Sequence, residues 1–97
     1  MNNFQDMLSK AKAMQEKMKE AQEKIKNIEV EGVAGGNLVT VKLSGDYDLK
    51  SITISDAAKK ENQEIINDLI MAAYNNAKEN LKKKSAEELS KVTGGLN

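Results

Sequence analysis

Residues 31–47 read EGVAGGNLVTVKLSGDY, a run in which Val39, Val41 and Leu43 alternate with Thr40, Lys42 and Ser44 between two glycine-bearing separators. A period of two puts successive side chains on opposite faces of a strand, and β-branched residues suit that pleated surface. Working outward, IEVEGV before it and DLKSITIS after it alternate as well, with Ile52 and Ile54 in phase. The separators Ala34-Gly35-Gly36-Asn37 and Gly45-Asp46-Tyr47-Asp48 carry turn chemistry of hairpin length. Three antiparallel strands are predicted between about residues 28 and 55. One face is apolar, and the other bears Thr40, Lys42, Ser44, Ser51 and Thr53.

The flanks change period. Phe4, Met7, Ala11, Met14, Met18, Ala21, Ile25 and Ile28 follow one another at steps of three and four, an a/d heptad seam uninterrupted by Gly or Pro. A helix over about 3–28 follows, with Leu8 widening the seam at its start and Ala11 and Ala21 allowing close approach of another helix. After the strands, Ile65, Ile66, Leu69, Ile70, Ala73, Tyr74, Ala77 and Leu81 have helical spacing, which predicts a helix over about 57–92. Ser85-Ala86-Glu87-Glu88 has capping-box form, so this helix either restarts there or runs on to Val92. Thr93-Gly94-Gly95 ends it, leaving a disordered tail over 93–97. The expected fold is α+β, in the order α-β-β-β-α, as a single domain over 1–97 with no internal repeat or low-complexity tract.

With 97 residues and only three aromatic side chains, Phe4, Tyr47 and Tyr74, the chain has little with which to build a core. A domain this small buries only about 60–65 % of its unfolded surface, which points to oligomerisation. Cys, His, Trp and Arg are all missing. Thiol nucleophiles, imidazole bases and the usual transition-metal ligands are thereby excluded, and the lack of Cys suits a reducing compartment. The N-terminal MNNFQDMLSK lacks the basic and apolar regions of a signal peptide, and no apolar run approaches the length of a membrane span. The reading is a soluble, cytoplasmic protein without a membrane partner.

No stretch of the chain has the makings of a catalytic motif. Gly32, Gly35 and Gly36 are followed by no Gly-Lys-Ser/Thr, so a hairpin turn fits better than a phosphate cradle. Asp46 and Asp48 form the one compact acidic pair, without further acids beside it, and Ser44 and Ser51 have no activating base. No enzyme activity, cofactor, metal or small-molecule substrate is expected.

The remaining signal is charge. Fifteen Lys balance fifteen acids, so any basic surface must come from sidedness within elements. With Phe4 at heptad position a, Lys10, Lys17 and Lys24 fall at g and Lys12, Lys19 and Lys26 at b, while Asp6, Glu16, Glu20 and Glu23 lie on the far side. Such rows can hold phosphates as point charges, or can simply be a solvated face with i,i+4 pairs such as Asp6 to Lys10 and Glu20 to Lys24. Residues 78–84 add Lys78, Lys82, Lys83 and Lys84 against one Glu, the single net-basic stretch; the helix dipole favours cations near a C-terminus in any case.

EGVAGGNLVTVKLSGDYDLKSITI, the following DLIMAAYNNA and the Met-rich KAKAMQEKMKEAQEKI together resemble the YbaB/EbfC family of bacterial nucleoid-associated proteins over nearly the whole chain. The resemblance implies a homodimer joined through the sheet region, with helices projecting like tweezers. It also implies binding of duplex DNA, mainly at phosphates and with little sequence specificity, that alters DNA conformation in the nucleoid and affects gene expression. On that reading the DNA-contacting residues are Lys10, Lys12, Lys17, Lys19, Lys24, Lys26, Lys78, Lys82, Lys83 and Lys84. Without Arg, no bidentate reading of guanine is available. The alternative is a protein-interaction adaptor or small chaperone that grips protein segments with Met14, Met18 and the rest of the seam, because Met-rich surfaces are adaptable.

Overall fold

The computed structural model describes residues 2–94. Its elements are α1 (Asn2–Lys26), β1 (Glu29–Ala34), β2 (Val39–Ser44), β3 (Leu49–Ile54), α2 (Asp56–Lys59) and α3 (Gln63–Gly94). This is the α-β-β-β-α order read from the sequence, with one interruption. The Ser55 hydroxyl caps the short α2 by accepting from the Ala58 N–H at 3.1 Å, and Asn62 Oδ1 accepts from the Ile65 N–H at 2.9 Å to start α3. The helical pattern from about 57 is therefore broken at residues 60–62 rather than at Ser85. At Ser85 the chain stays helical, because Val92 beyond it is buried against α1 and keeps the helix in register. Of the expected disordered tail, residues 93 and 94 belong to α3, and 95–97 lie outside the described residues.

The sheet has the order β1-β2-β3, antiparallel throughout. Val30, Gly32 and Ala34 of β1 and Val39, Val41 and Leu43 of β2 are buried beneath α3, where Ala73, Ala77 and Leu81 meet them. Small residues on both sides set the spacing. A Cβ on Gly32 would overlap the backbone of Ala73 and Ala77, so α3 lies directly on β1. Ser44 departs from the predicted alternation and is buried next to Leu43. A bulge between Lys42 and Leu43 shifts the pairing with β3 there, and the Ser44 hydroxyl accepts from the N–H groups of Asp46 and Asp48 to organise the following turn.

The two edges of the sheet differ. Along the outer edge of β1, the Val33 N–H donates to Asn76 Oδ1 at 2.9 Å, and Asn80 Nδ2 donates to the Glu31 carbonyl at 2.8 Å. Two side chains of α3 thus occupy backbone groups that would otherwise invite another strand. Among the described residues, no side chain does this for β3. Because α3 covers β1 and β2, the apolar face of β3 is left half open, with Leu49 and Ile52 50 % and 41 % exposed. They line an apolar groove with Val41, Ile70, Met71 and Tyr74.

The chain is elongated, 72 × 19 × 16 Å, with a radius of gyration of 19.6 Å. A compact chain of this length would have a radius of about 13 Å. The cause is α1. Its Ala21 is buried in a groove shared with Val92 of α3, and Ile25 and Ile28 are partly buried at its base, so the two helices run antiparallel. Every residue from 3 to 20 is exposed. Beyond the end of α3 the N-terminal part of α1 projects as an arm of roughly 25 Å, at 1.5 Å per residue. No helix among the described residues is long and apolar enough to cross a membrane.

Candidate nucleic-acid interface

The base of the arm is built by the β2–β3 turn. The Gly45 N–H donates to the Ile28 carbonyl at 2.9 Å, and the Ile28 N–H donates to the Ile25 carbonyl at 3.1 Å. A Cβ on Gly45 would run into the Ile25 carbonyl group. Gly45 is thus a glycine of close approach, and the left-handed conformation in this turn belongs to Tyr47, at φ 65°. The last turn of α1 is seated on the turn backbone, which aims the lysine rows away from the sheet.

On α1, Lys10, Lys17 and Lys24 repeat every seven residues, about 10 Å apart along the helix, as do Lys12, Lys19 and Lys26. All six are exposed. Lys10 and Lys12 lie on the projecting arm. Lys17 and Lys24 line the α1–α3 groove together with Glu20, Glu88 and Lys91. Lys91 escaped the sequence reading because it is a single lysine in a mixed-charge stretch, and only helix packing places it opposite Lys17 and Lys24. It is held by Glu88 in an ion pair of 3.0 Å.

On α3, Lys78, Lys82, Lys83 and Lys84 are all exposed. Lys78 and Lys82 stand one turn apart on a common face, but successive residues rotate by about 100° around a helix. Lys82, Lys83 and Lys84 consequently wrap the helix instead of forming one face. None of the ten lysines forms an ion pair among the described residues; the pairs present involve Lys42, Lys59 and Lys91. The helix pairs Asp6–Lys10 and Glu20–Lys24 are not made, so the ammonium groups of the rows stand free of direct ion pairs. Among the described residues no group of three or more His, Cys, Asp or Glu comes together to hold a metal.

Comparison with known proteins gives this arrangement a context. The chain is 44 % identical over 98 residues to a nucleoid-associated protein of Granulibacter bethesdensis, covering 100 % of this chain and 92 % of that one. It is 41 % identical over 97 residues to a nucleoid-associated protein of Bartonella bacilliformis, covering 99 % and 90 %. A nucleoid-associated protein of Legionella pneumophila is 37 % identical over 95 residues, covering 98 % and 85 %. In structure, the chain resembles the crystal structure of an uncharacterized protein from Helicobacter pylori, with a TM-score of 0.62 over 79 % of this chain and 90 % of that one. At 21 % identity that likeness speaks for the fold alone. The YbaB/EbfC DNA-binding family matches residues 1–96, and the chain belongs to that family.

Proposed function

We propose that this protein binds duplex DNA as a homodimer on the nucleoid of the bacterial cytoplasm, holding phosphates with the lysines of α1 and α3. The observation that carries the reading is the pair of unpaired lysine rows along a projecting helix, in a chain of a DNA-binding family. The contacts are electrostatic. Lysine is a point-charge donor to phosphate, and with no Arg in the chain the grip carries little base information. Lys10, Lys12, Lys17, Lys19, Lys24 and Lys26 supply one arm of the clamp, and Lys78, Lys82, Lys83 and Lys84 the surface beside it. A duplex held between two such clamps has its path altered, which connects binding to gene expression.

The dimer contact of this proposal is the groove of Leu49, Ile52, Ile70, Met71 and Tyr74. Two features support that side: Leu49, Ile52 and Met71 are half exposed in the single chain, and the opposite sheet edge is already occupied by Asn76 and Asn80. Gel-shift titration with a mixed-sequence duplex at two salt concentrations tests the DNA reading. The expected result is a steep fall of log affinity with log salt, and loss of binding when Lys82, Lys83 and Lys84 are changed to Glu. Absence of binding near physiological salt overturns it.

A further inference from the structure

We propose that the outer half of α1 is also a docking surface for an amphipathic helix with acidic flanks on a partner protein. The projecting arm carries Phe4, Met7, Met14 and Met18 at its a and d positions with Leu8 beside them, and they are 65, 68, 37, 40 and 44 % exposed. Nothing among the described residues covers this stripe. A shallow apolar hollow runs along it at Ala11, Met14 and Met18, where the small Ala11 side chain leaves room for an incoming knob. The stripe continues, at the same steps of three and four, the face through which Ala21 is buried beside Val92 of α3, so it has the geometry of a helix-packing surface. Methionine side chains adapt to the shape of what they meet.

Charge selects the occupant. The seam is flanked by Lys10 and Lys17 at g on one side, and by Lys12 and Lys19 beyond Leu8, Gln15 and Gln22 on the other. A second α1 laid antiparallel would put lysine row against lysine row, and a parallel one would find Leu and Gln at e and no acid. DNA would satisfy the lysines but leave the apolar stripe in water. A helix with apolar a and d positions and Glu or Asp at e and g satisfies both.

The test uses the full chain, without DNA, so that its result is independent of the DNA reading. A labelled peptide of about three heptads, with Leu at a and d and Glu at e and g, is titrated and followed by fluorescence anisotropy; a second peptide carries Lys at e and g. The Glu peptide is expected to bind and the Lys peptide not. The double variant Met7→Ser, Met14→Ser is expected to weaken binding about tenfold or more, with an unchanged circular dichroism spectrum because both side chains are exposed. Failure of the Glu peptide to bind, equal binding of the two peptides, or binding indifferent to the Met7 and Met14 changes each overturns the proposal. So does resistance of Met7 and Met14 to peroxide oxidation in the free protein, which would mean that another copy of the chain already covers the seam.

Discussion

Gly32 lies beneath α3 with no room for a side chain, because the Ala73 and Ala77 backbone occupies the space that a Cβ would take. Gly32→Ala must lift the helix or bend the strand, and such overpacking costs about 1–3 kcal/mol. Urea denaturation should show a lower midpoint, and an unchanged one would mean that α3 is free to ride up on β1. The four glycines of the sheet and its turns divide into two kinds. Gly35 and Gly36, with φ of 62° and 73°, take the left-handed conformations that a hairpin loop needs, and their place between two strand patterns makes them readable. Gly32 and Gly45 are required by close approach to the backbone of distant helices, and no local pattern announces that. Asn76 and Asn80 belong to the same class: polar residues on a helix look like surface until the helix is laid along the β1 edge. Changing both to Ala is expected to cost about 0.5–1.5 kcal/mol for each hydrogen bond removed. It should also open the edge to strand pairing, seen as rising light scattering; a variant that stays dispersed would show that the edge needs no such cover.

At the level of elements, α1 is a lever attached at one end. Ala21, Ile25 and Ile28 tie it to α3 and the sheet, and the rest stands clear. The heptad pattern correctly announced a helix, yet a seam of this kind is ordinarily buried, and the single chain buries only its last part. The Lys10, Lys17 and Lys24 row tests whether the lever meets DNA. Changing all three to Gln should reduce the slope of log affinity against log salt by up to about 2.7, at about 0.9 for each phosphate no longer neutralised. Titrations at several salt concentrations measure this, and an unaltered slope would remove the g row from the interface. Gly45→Ala acts at the attachment. It should displace the end of α1 from the β2–β3 turn and weaken DNA binding while leaving the proposed contact between subunits at the β3 groove intact, as gel shift and sedimentation would show together.

The whole molecule is an open shape. A radius of gyration of 19.6 Å and a buried set that includes Val30, Val39, Val41, Leu43 and Leu81 describe a small core at one end of a long body. The uncovered Leu49, Ile52 and Met71 beside that core expose apolar surface whose burial is worth about 25 cal/mol per Å². A chain stabilised by a second copy at this groove melts at a temperature that rises with protein concentration. On the proposed dimer, Ile52→Glu should abolish both the concentration dependence and the dimer mass in sedimentation. Persistence of the dimer would move the subunit interface elsewhere on the molecule.

The sequence alone determined the element order, the antiparallel sheet, the hairpin turns and the lysine rows, because each is a local pattern: a period of two, a period of three to four, a glycine pair, a charge every seven residues. The break at residues 60–62 rests on two local caps, Ser55 and Asn62, which the helical periodicity on either side had masked. The burial of Ser44 and Lys91's place in the α1–α3 groove were settled only by the tertiary structure. So were the capping of β1 by Asn76 and Asn80, the half-open face of β3 and the bare arm of α1. These depend on where one element ends against another, and packing between residues tens of positions apart leaves no periodic trace in the chain.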